Sequence, residues 1–263
     1  MGFQEFIGNS ATVARLRESV RAGRFPQAMI LAGPKGAGKY TLALMLAQTV
    51  NCLNPRETDG LPDFCGKCRN CERIGEAVNL EERVAEAVAA REEMRDADKR
   101  ETRIFIQTHP DVLIIPPDPP QMMTKVDQVR RVIETIYYRP AEGRERVYIF
   151  TDSAFMKEAA NSLLKVLEEP PEFATIFLLT ENPGELLPTI RSRSMVFTLG
   201  ALPAEEIEKY LAEHRPEWKA AERALVARLS EGAVGQARGF DLAAYVAARG
   251  HAMAILNSAL RGG

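Results

Sequence analysis

The chain has 263 residues, 46% hydrophobic and 27% charged, which excludes a disordered tail and leaves room for one large domain or two modest ones. Its 34 Lys and Arg against 36 Asp and Glu give a formal net charge of −2, so a generally basic nucleic-acid coat is excluded and any polyanion must meet a local patch. No apolar run approaches the roughly 20 residues of a membrane span and residues 1–10 lack a signal-peptide pattern, so a soluble, cytoplasmic protein is expected.

A first predicted helix over 10–22 leads into a short apolar strand, 28–32, and a helix over 39–51. Residues 52–72 break the rhythm and contain all four cysteines. A weak apolar stripe of Leu80, Val84 and Val88 follows, and then a stretch, 91–103, in which ten of thirteen residues are charged. It reads as a solvated helix held by i,i+4 ion pairs, with a partner surface as the functional alternative. Further strands are predicted over 112–115, 147–150, 176–179 and 195–197, and helices over 125–138 and 155–167. In the last helix Phe155, Ala159, Leu163 and Leu167 recur four apart on one stripe, and Pro170-Pro171 ends it. Strands this short and continuously apolar suit a parallel sheet covered by helices on both faces, an α/β domain. Beyond Leu202-Pro203 only helices are predicted, over 204–214, 218–230, 234–247 and 250–260.

Between the first strand and its helix lies Gly33-Pro34-Lys35-Gly36-Ala37-Gly38-Lys39, the G-x-x-x-x-G-K pattern of a phosphate loop. Such a turn offers backbone N–H groups at a helix N-terminus to nucleotide phosphates, and Lys39 adds a point charge. A structural turn without a ligand is the alternative. The next position should supply a Ser or Thr hydroxyl to magnesium, but it holds Tyr40, and Thr41 is turned about 100° further around the helix. Asp152, after the strand 147–150, offers the carboxylate a nucleotide hydrolase needs beside its metal, unless it only caps a helix beginning near Phe155. Ser153 stands where a water-activating carboxylate belongs. Binding of ATP or ADP without turnover is the expectation.

Cys52, Cys65, Cys68 and Cys71, with twelve, two and two residues between them, match a closed tetrahedral zinc site. An iron–sulfur cluster is the other metal option, and four unligated thiols the bland one. A structural zinc of this kind leaves no coordination position open for catalysis.

These features occur in order with Thr108-His109-Pro110-Asp111, Val126-Asp127-Gln128-Val129-Arg130, the run from Ala159 to Glu168-Glu169-Pro170-Pro171, and Leu187-Pro188-Thr189-Ile190-Arg191-Ser192-Arg193-Ser194. In this combination the chain resembles the bacterial AAA+ clamp-loader subunits, and among them the delta-prime family of the DNA polymerase III clamp loader. The resemblance spans about residues 3–240 apart from 76–104. It implies an AAA+ P-loop domain over 1–200, with a zinc module at 52–71 and a charged helical insert at 76–104. A helical lid over 201–240 and the start of a truncated collar domain over 241–263 would follow.

Arg193 matches the family's Ser-Arg-Cys arginine, a finger that reaches the γ-phosphate of ATP held by the neighbouring subunit; on the residues alone it is a surface arginine at the start of a strand. Thr180 matches the polar residue that senses the γ-phosphate, or simply ends its strand. Gly235 falls where active ATPases of the family carry a second sensor arginine. The resemblance thus implies a subunit that donates Arg193 in trans and hydrolyses little or no ATP itself. Its partners would be delta and gamma/tau-like subunits, with the sliding clamp and primed DNA reached through the complex. An ATP-hydrolysing gamma/tau-like motor subunit is the alternative, and a zinc-dependent DNA-binding module is the reading from another class.

Overall fold

The computed structural model of the chain describes residues 2–260. Its first half runs through α1 (Ser10–Arg21), β1 (Ala28–Ala32), α2 (Lys39–Asn51), β2 (Arg56–Thr58), β3 (Leu61–Asp63), α3 (Arg69–Gly75), α4 (Leu80–Glu92), α5 (Asp96–Glu101), β4 (Ile106–His109) and β5 (Val112–Ile115). The second half comprises α6 (Val126–Ile136), β6 (Arg146–Phe150), α7 (Lys157–Glu168), β7 (Ala174–Thr180), α8 (Pro188–Arg191), β8 (Met195–Thr198), α9 (Ala204–His214), α10 (Ala220–Leu229), α11 (Val234–Arg238) and α12 (Leu242–Leu260).

Uninterrupted aliphatic strands need cover on both faces, and β1, β5 and β7 are buried at every residue. They lie in a six-stranded sheet of order β4-β5-β6-β7-β1-β8, parallel except for β4, which pairs antiparallel with β5 at one edge. Val129, Val132 and Ile136 of α6 and Ala159, Leu163 and Val166 of α7 pack with Ile30, Ile115, Phe150 and Leu178 in one core. The parallel order places the C-terminal ends of β1, β6 and β7 side by side, with Ala32 in register with Thr180.

The described chain forms two compact units, residues 2–34 with 38–199 and residues 35–37 with 200–260. The second has its own small core of Ile207, Leu211, Val226, Ala227 and Ala237. Among the described residues no helix is long and apolar enough to cross a membrane.

Several elements depart from the sequence expectations. The helix predicted from 155 starts at Lys157, because Met156 donates its N–H to the Thr124 carbonyl and keeps the chain extended. Phe155 still packs on Phe150, with ring centroids 5.3 Å apart. Asp152 does not cap α7: its Oδ1 accepts the Ala154 N–H at 2.7 Å and closes the turn before the helix. The helix predicted over 234–247 breaks after Arg238, where Asp241 accepts the Ala244 N–H and starts α12, which then runs through Gly250. Residues 261–263, at the end of the stretch 241–263, lie outside the described residues.

The charged insert folds as α4 and α5, and among the described side chains its within-helix ion pairs include Arg83 to Glu86 and Lys99 to Asp96, both at i,i+3 spacing. It is not solvated throughout. Arg91, 7% exposed, pairs with Asp118, 2% exposed, at 2.9 Å, and Asp118 also accepts the Ile104 N–H. A buried charge needs such a partner, so α4 is anchored to the segment before α6.

The Thr108-His109-Pro110-Asp111 segment is a fastening point. His109 Nδ1 accepts the Asp111 N–H, and the buried Asp111 carboxylate accepts those of Ala141, Glu142 and Gly143 at 2.7–2.8 Å. Burial pushes this carboxyl up, but the three N–H donors, with His109 beside them, more than offset it and hold it below the usual range. A carboxyl depressed in the folded state adds stability above its unfolded pKa of about 3.9 and loses it as pH falls through the folded value. Urea denaturation should therefore show stability falling as the pH drops below about 4, with a shallower acid slope in Asp111→Asn.

Candidate functional site

The cysteine cluster is assembled around the C-terminal end of α2. Cys52 follows that helix, the β2–β3 hairpin returns the chain to Cys65, Cys68 immediately precedes α3, and Cys71 lies in its first turn. The four Sγ atoms lie within 4.8 Å of one another and none is in a disulfide. Zinc–sulfur bonds of about 2.3 Å give a tetrahedron with edges of about 3.8 Å, so the donor set fits a zinc ion with little contraction. The Cys65 N–H points at Cys52 Sγ and the Cys68 N–H at Cys65 Sγ, each at 3.3 Å, an arrangement that favours thiolates.

Arg17 of α1 holds the hairpin in place. Its guanidinium, 5% exposed, donates to the carbonyls of Thr58, Leu61 and Pro62 at 2.7–2.9 Å and sits over the Phe3 ring. The signal for this role was absent from the sequence, because an arginine among helical polar residues reads as solvated.

Gly38, at φ +88°, turns the phosphate loop into α2 with the Phe6 ring against it, a backbone conformation that suits glycine. Lys39 Nζ donates to the loop's own carbonyls, Gly33 at 2.6 Å and Pro34 at 2.9 Å. Burial lowers its pKa, while the nearby carboxylates of Glu181 and Asp152 act in the opposite sense. Glu181 was not foreseen, although it directly follows Thr180 at the end of β7, where ligands of parallel sheets gather.

Tyr40 turns away from the loop. Its hydroxyl donates to the Ala77 carbonyl at 2.6 Å, just past α3, and burial pushes its phenol well above the ordinary range. Thr41 lies in the first turn of α2, half-buried. Thr180 Oγ1 is 3.0 Å from Ser153 Oγ, which is in turn 3.1 Å from Glu185, so Ser153 joins a polar chain at the strand ends. In the second unit the loop tip packs on α11: Gly235 donates its N–H to the Gly36 carbonyl at 2.9 Å and Gln236 Nε2 donates to that of Lys35 at 3.0 Å.

Arg193 follows the short α8, one-third exposed, with Nη2 2.8 Å from Glu168 and Nη1 3.0 Å from the Thr189 carbonyl. The structure thus brings Lys39, Asp152 and Thr180 toward one sheet edge, gathers the four cysteines, and gives Arg193 a partner in its own chain.

The sequence matches the family described as "DNA polymerase III, delta subunit" over residues 8–80 and 75–203. The chain belongs to that family. It is a delta-prime-like clamp-loader subunit related to gamma/tau. It is 31% identical over 242 residues to DNA polymerase III subunit tau of Escherichia coli, a match covering 89% of this chain and 32% of tau. Against DNA polymerase III subunit gamma of Buchnera aphidicola it is 29% identical over 210 residues, covering 80% of this chain and 48% of gamma. The chain therefore spans less than half the length of these relatives. Its α/β AAA+ fold resembles a Thermotoga maritima RuvB variant, with a TM-score of 0.51 at 13% identity, over 90% of this chain and 61% of the other.

Gly235, against the phosphate-loop tip, leaves no room there for a side chain. A Cβ at position 235 would lie 2.9 Å from the Gly36 carbonyl oxygen and 3.0 Å from its Cα, both backbone atoms. Gly235→Ala should therefore lower the melting temperature, although alanine favours a helix interior by about 1 kcal/mol over glycine. For the cysteine cluster, metal analysis of the purified chain should find zinc, and Cys68→Ser should lose it on dialysis with a loss of helical circular dichroism.

Proposed function

We propose that this chain acts as the delta-prime-type member of a DNA polymerase III clamp loader, serving the ATP site of an adjacent subunit while turning over little or no ATP itself. In this reading it contacts delta and gamma/tau-like subunits and supports loading of the sliding clamp onto primed DNA during replication in the cytoplasm. The cysteine cluster holds a structural zinc, residues 201–240 form a lid, and 241–263 begin a collar.

The observation that carries the reading is the hydrogen bond from Tyr40 to the Ala77 carbonyl. A phosphate loop of the hydrolysing kind uses the side chain after its lysine to ligate magnesium between the β- and γ-phosphates. Here that side chain reaches toward α3, and a phenol would be a poor replacement in any case. Ser153 cannot act as a general base, and Gly235 brings no charge to the phosphates. Gly33, Gly36, Gly38, Lys39 and Thr41, with Asp152 and Thr180 beside them, retain the form of a cradle for ATP or ADP.

Arg193 is the group offered outward. Arginine suits phosphoryl transfer because its planar, permanently charged fork neutralises charge on the transferring oxygens. One observation favours a second reading, a motor subunit: the curated relatives at 29–31% identity carry the names gamma and tau.

Arg193→Ala in a reconstituted loader should lower DNA-stimulated ATPase, with turnover at the neighbouring site falling by on the order of 10³; an unchanged rate rejects the finger. The chain alone should bind nucleotide with an affinity indifferent to magnesium and release no phosphate. Unaided turnover abolished by Lys39→Ala would support the motor subunit instead.

A further inference from the structure

The Glu168-Glu169-Pro170-Pro171 segment has no part in the reading above beyond ending α7, yet its first residue touches the group that reading depends on. Glu168 Oε1 lies 2.8 Å from Arg193 Nη2. On the other side of the guanidinium, Nη1 donates to the Thr189 carbonyl at 3.0 Å and to Ser192 Oγ at 3.3 Å. The two anchors come from different elements, the C-terminal end of α7 and the turn of α8. Both are tied into the core, through Leu163, Val166 and Leu167 on α7 and Ile190 on α8. A planar fork bonded at both Nη atoms to two different elements is restrained against rotation about its long axis.

Glu168 is an unfavourable choice for its place. It is the last residue of α7, where the helix dipole disfavours an acid, and the chain leaves the helix at Glu169. Its side chain is half exposed, and an exposed ion pair contributes little to folding. Neither helix formation nor stability accounts for a carboxylate at this spot, whereas orientation of Arg193 does.

We infer that Glu168 is a positioning residue for Arg193, holding the guanidinium in the direction from which it reaches a neighbouring subunit's nucleotide. The inference rests on the finger reading. Because the pair uses one donor of a group that has five, Arg193 keeps N–H groups for phosphate while it stays on Glu168.

The test is steady-state ATPase of the reconstituted loader with primed DNA, carrying Glu168→Ala, Glu168→Gln, Arg193→Ala or the Glu168→Ala/Arg193→Ala pair. Glu168→Ala should lower kcat about tenfold with KM for ATP unchanged, as a displaced catalytic group does. Glu168→Gln, which keeps an acceptor oxygen, should recover most of the rate. The double variant should be no slower than Arg193→Ala alone, because both changes remove one device. A loss in Arg193→Ala with none in Glu168→Ala overturns the positioning role and leaves the finger standing. A rise in kcat in Glu168→Ala makes Glu168 a competitor for the arginine and overturns the inference too. No loss in Arg193→Ala removes the finger itself.

Discussion

Helix α2 has almost no face left for solvent, and the rest of the N-terminal unit is arranged around that fact. Every residue from Leu42 to Asn51 is buried. Gln48 donates to the Cys71 carbonyl, Tyr40 to that of Ala77, and the Asn51 side chain accepts the N–H groups of Arg144 and Glu145. The helix that carries Lys39 at its start and delivers Cys52 at its end is therefore gripped along its length. Such burial is tolerated because most polar groups on the helix find partners, the Thr49 hydroxyl through the Met45 carbonyl among them, while Asn51 Nδ2 is left without one.

This bracing explains why the cysteine module can be both small and ordered. The hairpin and α3 supply few apolar residues, so their position depends on the thiolate cluster, on Arg17 and on packing against α2. Tyr40 belongs to that framework. At a position where a phosphate loop usually presents a small hydroxyl, a large phenol spans from α2 to the end of α3. Through that contact Tyr40 supports the cysteine module from the first turn of α2.

Much of the sheet was legible because its strands are pure. The runs 28–32 and 112–115 coincide with β1 and β5, since a strand buried on both faces tolerates no polar interruption. β4 and the β2–β3 hairpin were not legible. Arg56-Glu57-Thr58 has no apolar alternation, and it is a strand only because β3 lies opposite and Arg17 holds the turn. The insert misled for a related reason: ten charged residues in thirteen suggest a solvated face, and nothing local marks Arg91 as the one that meets Asp118. At the candidate site the phosphate loop and the four cysteines could be read from spacing, because their ligands are close in the chain. Glu181 beside Lys39 and Glu168 beside Arg193 could not, since those pairs are separated by long stretches of chain.

By itself, then, the sequence determined an α/β core with a phosphate-loop pattern and a four-cysteine cluster. Those are properties of residue identity at short, fixed spacing, which the covalent chain enforces. Only the tertiary structure decided where Tyr40 points, why position 235 must be glycine, and which carboxylate holds Arg193. Each of these depends on an approach of a few ångströms between segments far apart in sequence, which packing alone brings together.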